Sequence, residues 1–187
     1  MASKKKAEKS AATRANKPAS GVRDRKQPVD LGQALIEAYL TNERINQVLL
    51  DVLDPKVWRA QPACAKRRNI ATSFAHMHNV RCMRLKMSGI APPARLERAE
   101  VTQAEARMAL AESAAAMVGL IEESLKKGGH VKDHKPDVVA LVAGAITHDA
   151  YHRGQICHWA GQLGSPLSPE QQMLVWDWPK RWQEAVR

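Results

Sequence analysis

Cysteine is scarce: Cys64, Cys82 and Cys157 are the only three, far apart, with no C-x-x-C pair. That excludes a disulfide framework and favours a reducing compartment. No apolar run approaches the ~20 residues of a membrane-spanning helix, and the first residues lack the apolar core of a secretion signal. A soluble, cytoplasmic protein with no membrane partner is expected. No stretch shows the period-2 alternation of a half-buried strand, and no segment repeats.

Charge is plentiful but uneven. The chain of 187 residues has a formal net charge of +10, with 29 Lys/Arg against 19 Asp/Glu. Residues 1–28 hold nine of the basic side chains against Glu8 and Asp24, a net of +7. The rest, 20 basic against 17 acidic, is near balance at +3. Residues 1–28 are rich in Lys, Ala and Ser and have almost no large apolar side chain, so burial cannot offset the entropy of ordering them. They are expected to form a disordered basic tail, with residues 29–187 as one domain. A nucleic-acid surface, if the protein has one, is expected mostly in that tail.

From Pro28 the pattern becomes helical. Asp30 can cap a helix from Leu31, whose core path runs through Leu35, Tyr39, Asn42, Asn46, Leu49 and Leu53 until Asp54-Pro55 ends it. A second helix runs from about Asn69 to Met87 and stops at Ser88-Gly89. Thr102-Gln103-Ala104-Glu105 reads as a capping box opening a third, alanine-rich helix that Gly128-Gly129 ends. A fourth begins near Pro136 as first-turn proline and runs to Leu163-Gly164. Ser168-Pro169-Glu170-Gln171 opens a short fifth segment, and Pro179 starts a last turn through Trp182. The expected fold is all-α: an up-and-down type four-helix bundle with a short C-terminal helical segment covering one end. Trp176, Trp178 and Trp182 are expected to plug that end. Cys82 and Cys157 read as small core residues.

The chemistry sits in the fourth helix. His148 and His152 are four residues apart, about 40° around the axis and roughly 6 Å along it, so both rings can face one ion. Gln155 and Trp159 share their stripe, and Tyr151 lies beside it. These three are candidates to line the pocket or support the ligands. Asp149 and Arg153 point about 100° or more away and read as an ion pair that could orient a ligand ring only if a neighbouring helix turned them inward. His148-Asp149-Ala150-Tyr151-His152 also sits close to the H-E-x-x-H of zinc peptidases. Gln155 stands where the turning glycine would be, the run stays helical through Trp159, and His158 lies ~120° round from His152. A peptidase is therefore rejected.

Two histidines leave a metal site short of ligands. His130 and His134 lie in the loop before the fourth helix, about three turns or more from His148. On the second helix His76 and His78 are ~200° apart and cannot share an ion. Both have apolar neighbours, and periodicity does not choose between them.

Ile70, Phe74, Ala75 and His76 in the second helix, with His148, His152, Arg153, Gly154 and Gln155 in the fourth, resemble the DinB-like family of metal-binding four-helix bundles. The likeness spans residues 30–187. It implies His76, His148 and His152 as the ligands, with His78 as the alternative, since the family signature has no histidine two places on. It implies a divalent transition metal, zinc or nickel, with a position open to water. It also implies a small-molecule substrate, with a low-molecular-weight thiol among the candidates, in transferase or hydrolase chemistry, and a homodimer as a common assembly. A non-catalytic metal-binding or stress-response protein is the second expectation. A nucleic-acid-associated module acting through residues 1–28 is the third.

Overall fold

The computed structural model describes residues 28–63, 65–66, 68–98 and 100–186. The expected basic tail therefore falls almost wholly outside the described residues, as does Cys64. The described chain is helical: α1 (Leu31–Val52), α2 (Ile70–Met87), α3 (Gln103–Lys126), α4 (Val138–Gln162), α5 (Pro169–Trp176) and α6 (Trp178–Ala185). Extended pairing is limited to an isolated bridge between Val131 and His134. No described helix is long and apolar enough to cross a membrane.

Caps set the helix starts. Asp30 accepts from the Gln33 N–H, and the Thr102–Glu105 and Ser168–Gln171 capping boxes both form. A third box, Asn69 with Thr72, opens α2. It lacks the Glu or Gln that usually marks one, so the sequence shows it less plainly. α4 starts later than expected. Asp137, not Pro136, precedes its first turn, and the Asp137 carboxylate accepts from the Ala140 N–H. Gly128 and Gly129 end α3 with φ of +72° and +86°, a conformation that a Cβ disfavours.

α1 and α2 each pack against both α3 and α4. Their apolar faces meet in two clusters. One holds Leu49, Ile70, Phe74, Leu110, Ile156 and Trp159; the other holds Tyr39, Leu85, Met117, Ile121 and Leu141. Each large apolar side chain buried there contributes about 1.5–3 kcal/mol. The clusters also give the helix directions. α1 and α4 run from the second cluster to the first, whereas α2 and α3 both run from the first to the second. Strict up-and-down alternation therefore fails between α2 and α3. The connection over residues 88–101 returns along the helices, with the Leu96 N–H and C=O both bonded to the Asn79 side chain.

The C-terminal segment also differs from expectation. α5 and α6 lie along α1 rather than over an end. The Trp182 indole donates to Glu37 at 2.9 Å, Arg44 pairs with Glu184 at 2.7 Å, and Gln171 donates to the Val52 carbonyl. Trp176 and Trp178 are not a plug. They are 79% and 41% exposed and rim a cavity between α4 and the C-terminal helices, with Val175, Cys157, Arg153 and Ile45.

Candidate metal centre

Between the two clusters lies a layer of buried polar side chains: Asn42, Glu43 and Asn46 from α1, Arg81 from α2 and Asp149 from α4. Arg81 reaches Asp149 and Glu43 at 2.7 Å each and also donates to the Leu110 carbonyl of α3. Asn42 and Asn46 donate to Asp149 at 2.8 and 3.0 Å. Arg153 donates to the side-chain oxygens of the same two asparagines. Two guanidinium groups and two carboxylates thus balance, and each bond is charge-assisted. Burial alone would raise the Asp149 pKa. Arg81, His148 and Asn46 outweigh it and hold this carboxyl well below the usual range.

On the other side of α4, His148 and His152 meet His76 of α2. The ring centroids are 4.6 Å apart for His148–His152, 4.9 Å for His76–His152 and 5.2 Å for His76–His148. One nitrogen from each ring lies within 4.8 Å of the others. His148 Nε2 and His76 Nε2 are 3.3 Å apart. A tetrahedral ion with arms of about 2.0–2.1 Å spaces its nitrogens by about 3.3 Å. The three imidazoles are a donor set that could hold a metal ion.

The remaining ring nitrogens fix the tautomers. His152 Nδ1 donates to Gln155 Oε1 at 3.0 Å, which leaves Nε2 with its lone pair. Gln155 in turn donates to the Tyr151 hydroxyl at 2.9 Å. His148 Nδ1 faces Asp149 Oδ1 at 3.5 Å, which favours the same tautomer. His76 differs. Its Nδ1 meets Arg98 Nη2 at 3.3 Å, and a guanidinium can only donate. Nδ1 must therefore accept, and the His76 proton sits on Nε2, pointing at His148. Burial first, then His152 and His148, then Arg98 and Arg68, push the His76 pKa down to about 4. Burial and His148 also lower that of His152, against the Gln155 bond and Asp149. Both rings are neutral at pH 7, the state a metal ligand needs.

No family model matches the chain, and neither a curated protein nor a solved structure does.

The other candidates separate cleanly. His78 is fully buried, with its two ring nitrogens 2.8 Å from the carbonyls of Ala109 and Ala94, facing away from the three rings. Trp159 is 6% exposed inside the first apolar cluster, so it supports the core and not the pocket. Tyr151 is 61% exposed and reaches the centre only through Gln155. Asp149 pairs with Arg81 rather than with Arg153, and the neighbouring helices do turn it inward behind His148. Cys82 is buried and Cys157 half-buried, and burial raises both thiols.

A cavity of about 340 Å³ opens beside the centre, where Lys66, Arg68, Thr72, Ser73 and Arg98 surround His76 and His152. Sequence reasoning missed these side chains and also Arg81. Arg81 had a readable signal, because it replaces an apolar residue on the stripe that runs Phe74, His78, Leu85. Lys66, Arg68 and Arg98 lie in connections whose path no helical period reveals.

Proposed function

We propose that this is a divalent-metal protein of the DinB-like kind and a metal-dependent enzyme acting on a small molecule. In this reading α1–α4 form the four-helix bundle and His76, His148 and His152 are the ligands. The observation that carries it is the convergence of three imidazoles from two helices, with His76 Nε2 and His148 Nε2 3.3 Å apart, the spacing of two nitrogens on one tetrahedral ion. Zinc or nickel suits an all-imidazole set. We place the protein in the cytoplasm on its unpaired thiols.

A bound ion would supply Lewis acidity, polarising a carbonyl or lowering the pKa of a water or thiol held at an open position. The chain does the rest. Gln155 orients His152, Asp149 stands behind His148, and the Arg81 pair keeps Asp149 ionised. The cavity on His76 and His152 favours catalysis over structural binding, because a structural site closes its fourth position. Transfer to or from a low-molecular-weight thiol, or hydrolysis, are the two reactions this reading holds. Metal analysis of untagged protein tests it. About one transition metal per chain is expected, lost in His148→Ala and in His152→Ala. Native protein that neither retains nor takes up an ion overturns it.

A further inference from the structure

Among the described residues, the cavity beside the three rings is lined by three cations, Lys66, Arg68 and Arg98, and by no acid. Among the described residues no carboxylate lies within ion-pair distance of any of the three. The buried carboxylate beside His148, Asp149, is committed to Arg81, Asn42 and Asn46. The two hydroxyls in the lining, Thr72 and Ser73, donate to the Asn69 carbonyl. What the cavity offers a ligand is therefore positive charge.

Arg98 adds a second argument. It donates to His76 Nδ1 across a 3.3 Å contact, the one protein acceptor shown for it. An ion on His76 Nε2 requires the ring proton on Nδ1 instead. Two donors would then face each other, and Arg98 must turn to another acceptor. Among the described residues no carboxylate lies within ion-pair distance of it, and the cavity is adjacent.

We propose that the small molecule bound at the three-histidine centre carries an oxyanion, a carboxylate or phosphate, and that Arg98 grips it with help from Arg68 and Lys66. This rests on the metal reading above and adds to it the charge class of the substrate and the residue that selects it. Loading the ion frees the guanidinium, so ion and oxyanion bind cooperatively. Reciprocity then requires that an oxyanion in the cavity tighten ion binding.

The test uses the full chain loaded with cobalt(II), whose visible bands report ligands at the centre and ignore anions held elsewhere. Acetate, inorganic phosphate and the neutral isostere acetamide are titrated at fixed ionic strength. Acetate and phosphate are expected to shift the bands, the tighter of the two naming the oxyanion, while acetamide does not at the same concentrations. Arg98→Ala should weaken the oxyanion about ten-fold or more, the scale of one charge-assisted bond. Arg98→Lys should recover part of it, and Lys132→Ala, at the far end of α2, should change nothing. Intact cobalt binding with acetamide as effective as acetate, or with affinities unmoved in Arg98→Ala, overturns this inference alone. A wild-type chain that binds no cobalt overturns the metal centre and this inference together.

Discussion

His78 turns one ring nitrogen toward the Ala109 carbonyl and the other toward the Ala94 carbonyl, both at 2.8 Å. Neither nitrogen is available to an ion. His76, two residues earlier, is half-buried and holds its Nε2 3.3 Å from His148. The two substitutions should therefore have opposite effects. His78→Ala should lose roughly 2–4 kcal/mol of stability, from a core void and stranded carbonyls, and keep its metal. His76→Ala should lose the metal and little stability. Urea denaturation in chelator, paired with metal analysis, separates them; a metal-free but stable His78→Ala would reverse the assignment. The Arg98 contact makes a finer prediction. Nitrogen-15 shifts of the His76 ring should show the proton on Nε2 without metal and on Nδ1 with zinc. A ring already protonated on Nδ1 in chelator would remove the reason for Arg98 to move. Helical period could not choose between these histidines, since both had apolar neighbours. The choice was made by residues 88–101, which fold back on α2 and bring the Ala94 carbonyl to His78.

α4 presents histidines to α2 on one face and, about 100° round, Asp149 and Arg153 to α1 and the buried arginine. The helix itself was legible from its hydrophobic pattern and glycine stop, and the shared face of His148 and His152 from a four-residue spacing. Its other face was not, because the partners come from α1 and α2. Asn42 and Asn46 on the apolar path of α1 were the available hint that a polar layer crosses the core. The relative direction of α2 and α3 was also within reach. Fourteen residues at ~3.3 Å can span a 24-residue helix of about 36 Å, so residues 88–101 are long enough to return. The polar layer has a pH signature. Asp149 has a folded pKa below its unfolded value of about 3.9, so its contribution is complete above that value. It is lost as pH falls through the folded pKa. Asp149→Asn should remove that part of the acid limb and lower stability at pH 7 by roughly 3–5 kcal/mol, leaving Arg81 with Glu43 alone. Urea midpoints for both proteins from pH 7 to pH 3 measure it. Curves that stay parallel across the acid range would mean that Asp149 is not held ionised by its neighbours.

The three rings belong to two antiparallel helices that are far apart in the chain, and this ties ion binding to the stability of the whole molecule. An unfolded chain cannot bring His76 to His148 and His152 without closing a loop of some seventy residues, an entropic cost of several kcal/mol by the chain-closure estimate. In the folded state α2 and α4 are already held together by the Arg81–Asp149 pair, so an ion would meet a prepared site. An ion that binds only the folded form stabilises it by RT ln(1 + [L]/Kd). Zinc at about 100 times its Kd should therefore add about 2.7 kcal/mol, read as a higher urea midpoint with an unchanged slope. Arg98 opposes this gain, because its bond to His76 must break first. Arg98→Ala should thus bind zinc more tightly than wild type in the absence of oxyanion, and lose that advantage when acetate or phosphate is present. His148→Ala should show no zinc shift under either condition. A wild-type midpoint that zinc leaves unmoved would mean the rings gather for a structural reason of their own.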